Sequence, residues 1–199
     1  MRAHLRPTLT LLVVLTVLTG IGYPLAVTGI AYTAFPDSAR GSVLVVDGRV
    51  VGSRHVGQRF EGARWMIGRP SAAGSHPYDA RSSAGSNLGP SSPRLDSLVR
   101  ARVATVRQRE GVPDTVRVPV DLVTSSGSGL DPHLSPRAAA LQVPRIAQVR
   151  GLPPDSVHAI VRRATTPRLA GVYGHPHVNV LLVNLMLEGV ALDSSGASP

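Results

Sequence analysis

The chain has 199 residues, a formal net charge of +9 and no cysteine, and all 21 of its basic residues are arginine. It therefore has no P-loop lysine, Schiff-base lysine, disulfide, catalytic thiolate or cysteine-ligated zinc site. The arginines are scattered through every segment and aromatic residues make up only 4% of the chain, which is more typical of a solvated surface than of a nucleic-acid-binding patch. Nucleic acid is not predicted as a partner.

The N-terminal segment is strongly apolar, and no charged residue occurs between Pro7 and Pro36. This stretch exceeds the roughly 20 apolar residues that a membrane-spanning helix needs. A signal peptide is the competing interpretation, but the stretch is long for one and no small-x-small cleavage site follows it. We predict a short N-terminal tail at 1–8, a transmembrane helix at 9–34, a soluble domain at 35–192 and a flexible tail at 193–199.

The orientation of this helix follows from its flanking charges. Arg2 and Arg6 precede the apolar segment, whereas the nearest basic residue beyond it is Arg40. The positive-inside rule then keeps the N-terminus in the cytoplasm and places the soluble domain outside. The predicted location is the bacterial plasma (inner) membrane, with a single pass.

The first half of the soluble domain begins with a predicted hairpin at 42–51, formed around an Asp47-Gly48 turn. The segment 52–93 is dense in glycine, serine and proline, and irregular stretches of this length are usually functional or disordered. A helix is predicted next, because Ser92-Pro93 supplies a cap and a first-turn proline and apolar residues follow at helical spacing up to Gly111.

The second half combines further helices and strands. We predict a strand at 116–124, a helix at 138–150 that is kinked at Pro144, a helix at 154–164 and a buried strand at 178–187. Because helices and strands are mixed without internal repeats, the predicted fold class is an α+β or α/β soluble domain anchored by one N-terminal transmembrane helix.

The motif at 121–136 lies between an apolar approach and a helix start. Small hydroxylated residues and two glycines occupy its middle, from Thr124 to Gly129, and are named the Ser/Gly run. Such a run holds backbone in conformations that side chains forbid and leaves amides and hydroxyls free to bind a ligand. It contains neither a G-x-S-x-G elbow nor the lysine of a Walker A loop. A tight turn between a strand and a helix is the simpler interpretation, with Gln142 as a surface amide.

The histidines offer weaker candidate sites. His175 and His177 could contribute two metal ligands, with Asp131 and His133 as a third and fourth. The spacing matches no known metal signature, and a proline between two histidines restricts both side chains. Turn residues are the favoured interpretation, so neither a metal site nor a catalytic residue is predicted.

Short motifs distributed over almost the whole chain support a family resemblance. They lie at residues 6–7, 22–25, 57–60, 68–72, 77–78, 85–90, 118–119, 121–136, 142–145 and 178–181. In this order the motifs resemble those of the C subunit of the Kdp-type potassium-transporting P-type ATPase. Ala84, Trp65-Met66 and Ser92 depart from the usual pattern of that family, without removing a motif.

This resemblance implies an accessory subunit of an ATP-driven potassium uptake complex that is itself non-catalytic. It implies a catalytic chaperone that raises the ATP affinity of the ATP-hydrolysing subunit, with ATP as a shared ligand. The partners it implies are that P-type subunit, a potassium-translocating channel-like subunit, a small single-helix subunit and membrane lipid. The implied nucleotide contacts are Ser126, Gly127, Ser128, Gly129 and Gln142, and the interface or structural positions are Gly85, Ser86, Asn87, Leu88, Gly89 and Asp131.

Two points stay open at this stage. ATP is cytoplasmic, whereas the flanking charges place the soluble domain outside, where the same surface would dock on the transporter instead. Two functions of other classes also remain as alternatives, a signal-anchored envelope hydrolase and a basic nucleic-acid-binding protein.

Overall fold

The computed structural model describes residues 2–192, and the predicted tail at 193–199 lies outside the described residues. The chain divides into two compact units, with the boundary between Val43 and Leu44. The first unit contains α1 (Arg2–Val17), a π-helical turn (Leu18–Gly22), α2 (Tyr23–Ala34) and the single turn α3 (Pro36–Ala39). Residues 2–8, expected as a tail, are helical and continuous with the apolar segment.

The first unit supplies a candidate membrane anchor. Among the described residues, one helix is long and apolar enough to cross a membrane, by length and composition, and it covers His4–Ala34. Its π-helical turn contains Gly20 and Gly22. None of its side chains is buried within the protein.

The second unit is an α+β domain. Its elements are β1 (Val43–Val46), β2 (Arg49–Ser53), α4 (Pro93–Glu110), a 3₁₀ turn (Val120–Leu122), β3 (His133–Leu134), α5 (Pro136–Arg150), α6 (Pro154–Arg163), β4 (Thr165–Thr166), β5 (His177–Asn179) and α7 (Val180–Leu187). A short antiparallel sheet has the order β3-β5-β4. Because its strands are antiparallel and its helices are not crossovers between parallel strands, the domain is α+β and not α/β.

Several predicted elements are confirmed, together with the residues that delimit them. The β1–β2 hairpin turns at Asp47 and Gly48, whose φ angles of 49° and 72° are both positive, as a type I′ turn requires. Helix α4 begins after Ser92 and ends at Gly111, which adopts the left-handed conformation with φ 64°. Helix α5 continues through Pro144, and α6 ends one residue before the predicted boundary.

The predicted strand at 116–124 is wrong. Residues Val120–Leu122 form a 3₁₀ turn, in which the Thr124 amide donates to the Val120 carbonyl at 2.9 Å. The guanidinium of Arg102 in α4 donates to the Val123 carbonyl at 2.9 Å. These backbone groups are satisfied locally and by a side chain, so the apolar approach to the Ser/Gly run needs no neighbouring strand.

The predicted strand at 178–187 is also wrong beyond its first two residues. Asn179 caps a helix, because its side-chain oxygen accepts a hydrogen bond from the Leu182 amide at 3.2 Å, and α7 follows to Leu187. A continuous apolar run is compatible with either a buried strand or a buried helix, so its periodicity did not distinguish them. The helix is buried on the faces that carry Val183 and Leu187.

The hydrophobic core lies between α5, α6, α7 and β5. Val143, Val157, Val178 and Val183 are completely buried at its centre. The long irregular segment at 54–92 also contributes, because Met66 is completely buried in the same cluster. This segment is therefore part of the packed domain, although the structure places no helix or strand in it.

Candidate functional site

The Ser/Gly run is a turn whose backbone conformation requires glycine at one position. Gly129 has φ +68°, and a Cβ built there would lie 2.5 Å from the Ala84 carbonyl oxygen and 2.7 Å from the Ala73 amide nitrogen. Gly127 is exposed, and a Cβ on it would contact nothing within 4 Å. The two glycines thus differ, since Gly129 is fixed by close backbone approach and Gly127 lies open at the surface.

The irregular segment braces this run through hydrogen bonds to its carbonyl oxygens. The Ala84 amide and the Ser83 hydroxyl both donate to the Ser128 carbonyl at 3.0 Å, and the Ser71 hydroxyl donates to the Gly129 carbonyl at 2.7 Å. A Cβ on Gly85 would lie 3.0 Å from the Gly127 carbonyl oxygen. The structure therefore brings the start of the predicted motif at 85–89 against the Ser/Gly run. The rest of that motif lies outward, with Ser86, Asn87 and Gly89 exposed, Leu88 half-buried and Asn87 at φ 51°.

Asp131 closes the run with an ion pair. Its carboxylate lies 3.1 Å from a guanidinium nitrogen of Arg69 and accepts a hydrogen bond from the His133 amide at 3.0 Å. Partial burial acts to raise the pKa of Asp131, but the hydrogen bonds from His133 and the charge of Arg69 outweigh it and hold that pKa below its usual value. The Asp131 carboxylate is therefore a structural anion that ties the run to the irregular segment.

Tyr78 fixes the backbone at Arg69, the arginine that pairs with Asp131. Its hydroxyl donates to the Arg69 carbonyl at 2.6 Å. A Cβ built on Gly57 would lie 2.7 Å from the Tyr78 ring edge, and a Cβ built on Gly68 would lie 2.7 Å from the Tyr78 hydroxyl oxygen. Burial, together with the negative charge of Asp131, raises the pKa of Tyr78 to about 12. The hydroxyl thus stays protonated at neutral pH and acts as a hydrogen-bond donor.

Gln142 is placed differently from both sequence interpretations. Its side chain is completely buried, and its amide pairs with both backbone groups of Ile67, accepting from the amide at 2.9 Å and donating to the carbonyl at 3.0 Å. It also accepts from Arg145 at 3.0 Å. The expected surface amide is therefore wrong, and in this conformation the Gln142 side chain has no exposed atom to offer a nucleotide.

Asn184 in α7 repeats this arrangement one residue earlier along the irregular segment. Its amide accepts from the Met66 amide and donates to the Met66 carbonyl, both at 2.9 Å. Two buried amide side chains thus imitate the pairing of a neighbouring β-strand and clamp Met66 and Ile67 onto α5 and α7. Sequence analysis missed Asn184, because a single asparagine within an apolar run carries no signal of its partner.

Arg145 and Glu110 form a second buried polar cluster. The Glu110 carboxylate is fully buried and accepts hydrogen bonds, as ion pairs, from Arg145 at 2.8 Å and from Arg109 at 2.6 Å. Arg145 also donates to the carbonyl oxygens of Ala63 and Trp65. A buried ion pair is stable only when the remaining N–H donors of the cation also have acceptors. The carbonyl oxygens of the irregular segment supply these acceptors to Arg145.

The other chemical candidates find little support in the geometry. The hydroxyls of Ser126 and Ser128 lie 3.4 Å apart, and in residues 2–192 neither is hydrogen-bonded to a histidine. The rings of His133 and His177 contact each other edge to face, with centroids 4.4 Å apart. In the part of the chain that the structure describes, no group of three or more histidine or acidic side chains could hold a metal ion.

Comparison with known proteins places this architecture in a family. The family model described as the c chain of the K⁺-transporting ATPase matches residues 5–189. The chain belongs to this family. A potassium-transporting ATPase KdpC subunit from Sorangium cellulosum (strain So ce56) is 55% identical, over 95% of this chain and 99% of the relative. The KdpC subunits of Dechloromonas aromatica (strain RCB) and Gemmatimonas aurantiaca are 48% and 50% identical, over 96% and 98% of this chain.

Membership of the KdpC family confirms the resemblance that the motifs indicated. The chain is thus a subunit of the potassium-transporting ATPase, and it is identified neither as an envelope hydrolase nor as a nucleic-acid-binding protein. The matched range includes α1 from Leu5 onward, α2 and the second unit as far as Gly189. The motifs quoted for the family lie largely in the irregular segment and the Ser/Gly run, which the structure joins through Arg69, Ser71 and Ala84.

Proposed function

We propose that the chain is a non-catalytic accessory subunit that assembles the potassium-transporting ATPase and raises the ATP affinity of its ATP-hydrolysing subunit. The single observation that carries this proposal is the family match over residues 5–189. The partners in this proposal are the ATP-hydrolysing P-type subunit, a potassium-translocating channel-like subunit and a small single-helix subunit. The helix His4–Ala34 would anchor the chain in the lipid of the plasma membrane.

In this proposal the soluble domain lies outside the cytoplasm and acts by docking. The arginines at positions 2 and 6 precede the apolar helix, which favours a cytoplasmic N-terminus. Burial of Gln142 agrees with docking, because a nucleotide contact at this side chain would require the clamp on Ile67 to open. ATP is then a ligand of the hydrolysing subunit, and its affinity is raised through contacts between subunits.

The docking surface that we propose consists of the exposed residues of the motif at 85–89 together with the exposed backbone of the Ser/Gly run at Gly127 and Ser128, without the serine hydroxyls. The structure joins these two segments through the backbone contact of Gly85 with Gly127 and the hydrogen bond from Ala84 to Ser128. Arg69 and Ser71 hold the Ser/Gly run through Asp131 and Gly129, and the motif at 85–89 is attached to that run, so the two segments form a fixed surface. A rigid surface loses little conformational entropy when a partner binds.

Purification of the complex through a tag on this chain, followed by an ATPase titration, tests both parts of the proposal. We expect capture from detergent to bring down a P-type ATPase subunit and a channel-like subunit. We also expect the ATP-hydrolysing subunit, purified separately without this chain, to need a higher ATP concentration for half-maximal activity than it needs in the complex. A Ser126→Ala/Ser128→Ala double variant removes the two hydroxyls that a nucleotide would contact, and under docking it should leave the ATP dependence unchanged.

The outcomes of this titration are distinct. A hydrogen bond to a charged phosphate contributes about 1.5–3 kcal/mol, so direct nucleotide contact would shift the half-maximal ATP concentration of the double variant roughly tenfold to hundredfold. Such a shift would contradict docking, although it would leave the role in ATP affinity intact. Isolation of the chain as a lone monomer, with normal transport in its absence, would contradict the accessory function itself.

A further inference from the structure

A cleft of about 520 Å³ opens between α4 and the irregular segment. Arg69, which holds the Ser/Gly run, is one of its lining residues. Three of the motifs quoted for the family meet in the cleft, at residues 59–60, 68–71 and 77–78. On the helical side it is lined by Arg102, Thr105, Val106 and Arg109. A volume of this order is typical of sites for small ligands.

The charge of this cleft is unbalanced. Four arginines line it, at positions 59, 69, 102 and 109, whereas Glu61 is the one carboxylate among its lining residues. Arg59 pairs with Glu61, Arg69 pairs with Asp131, and Arg109 shares Glu110 with Arg145. When Arg145 is included, because it shares Glu110, five guanidinium groups are balanced by three carboxylates, which leaves two positive charges without a partner among the described residues. Within residues 2–192, Arg102 forms no ion pair, and its guanidinium donates a hydrogen bond to the Val123 carbonyl.

These guanidinium groups are oriented before any ligand binds. Arg69 is held by the Asp131 carboxylate at 3.1 Å and by the Thr124 and Ser125 carbonyl oxygens at 3.5 and 3.4 Å. Arg109 is held by Glu110 at 2.6 Å and Arg102 by the Val123 carbonyl at 2.9 Å. A guanidinium carries five N–H donors, so each of the three retains at least two donors beyond the bonds that fix it. Fixed guanidinium forks match the oxygen geometry of phosphate better than flexible ammonium groups do.

We propose that this cleft binds a phosphate group, supplied either by free phosphate or by the headgroup of an anionic phospholipid. The apolar part of the lining, which includes Phe60, Pro70, Pro77 and Leu122, offers a surface for the glycerol and acyl portion of a lipid. Two uncompensated positive charges match the charge of a phosphate dianion or of two phosphodiesters. This inference goes beyond the proposed function and does not depend on it.

Calorimetric titration of the full chain in neutral detergent tests the cleft, with sodium phosphate as one probe and water-soluble dihexanoylphosphatidylglycerol as the other. Thr105→Glu places a carboxylate on the lining, and its matched control Ala104→Glu makes the same change at the adjacent exposed position of α4, outside the lining. Arg102→Gln removes the lining guanidinium that forms no ion pair within residues 2–192. Its control, Arg100→Gln, removes a guanidinium that pairs with Asp96 on the exposed surface.

We expect Thr105→Glu and Arg102→Gln to weaken binding roughly tenfold to hundredfold, while both controls bind as the unmodified chain does. Tighter binding of the lipid than of phosphate would assign the headgroup as the source, and the reverse order would assign free phosphate. Because Arg102 also supports the Val123 carbonyl, Thr105→Glu keeps the test valid should Arg102→Gln fail to fold. Absence of saturable binding of both probes, or an equal loss in the control variants, would overturn the proposal.

Discussion

Gly129→Val is expected to destabilise the soluble domain by more than about 3 kcal/mol. A β-branched residue at φ +68° is strained by its own backbone, at a cost of about 1–2 kcal/mol or more. Its Cβ would also overlap the Ala84 carbonyl and the Ala73 amide, which are backbone atoms that cannot rotate away. Both effects act on the turn that joins the Ser/Gly run to the irregular segment, so loss of assembly should follow.

Thermal unfolding of the full chain in detergent measures this effect. A loss of 3 kcal/mol corresponds to a fall in the melting temperature of roughly 6–12 °C for a protein of this size. Gly127→Val is the matched control, because Gly127 lies in the same run, is exposed and has nothing within 4 Å of a built Cβ. Equal melting temperatures for the two variants would show that the turn at Gly129 is not fixed as described.

Gln142→Ala is expected to reduce the free energy of unfolding by about 3–5 kcal/mol. The change leaves the amide and carbonyl of Ile67 without their partners in a buried site, and an unpaired buried polar group costs about 1–3 kcal/mol. Arg145 also loses one acceptor, and a cavity replaces a completely buried side chain. Chemical denaturation of the full chain measures the loss.

Gln148→Ala provides the control for this variant, since it makes the same chemical change at an exposed position of α5. It should be nearly neutral. A stable Gln142→Ala variant with normal assembly and a raised ATP requirement would contradict the clamp and favour a nucleotide contact. Because the clamp couples position 142 to folding, the Ser126→Ala/Ser128→Ala double variant is the better probe of nucleotide contact.

Elements whose limits depend on local chemistry were predictable from the sequence. Ser92-Pro93 and Gly111 delimit α4 because a first-turn proline and a left-handed glycine act within a few residues of the helix ends. The Asp47-Gly48 turn determines the β1–β2 hairpin for the same reason. The long apolar helix was predictable too, although its helical residues begin earlier than expected, at Arg2.

Features that depend on distant partners were not predictable. The irregular segment is ordered because Gln142 and Asn184, 75 and 118 residues away from the groups they bond, pair with its backbone. No local pattern distinguishes such amides from surface residues. The same limitation explains the two wrong strands, since α7 is a buried helix and residues 120–122 form a 3₁₀ turn held in part by Arg102.

The side of the membrane on which the soluble domain lies is the measurement that tests the docking proposal most directly. Reporter fusions at the C-terminus of the full chain would determine it, with alkaline phosphatase, which is active outside the cytoplasm, and green fluorescent protein, which is fluorescent inside. The positions of Arg2 and Arg6 predict active phosphatase and no fluorescence. Fluorescent protein with inactive phosphatase would place the domain beside cytoplasmic ATP and contradict docking from outside.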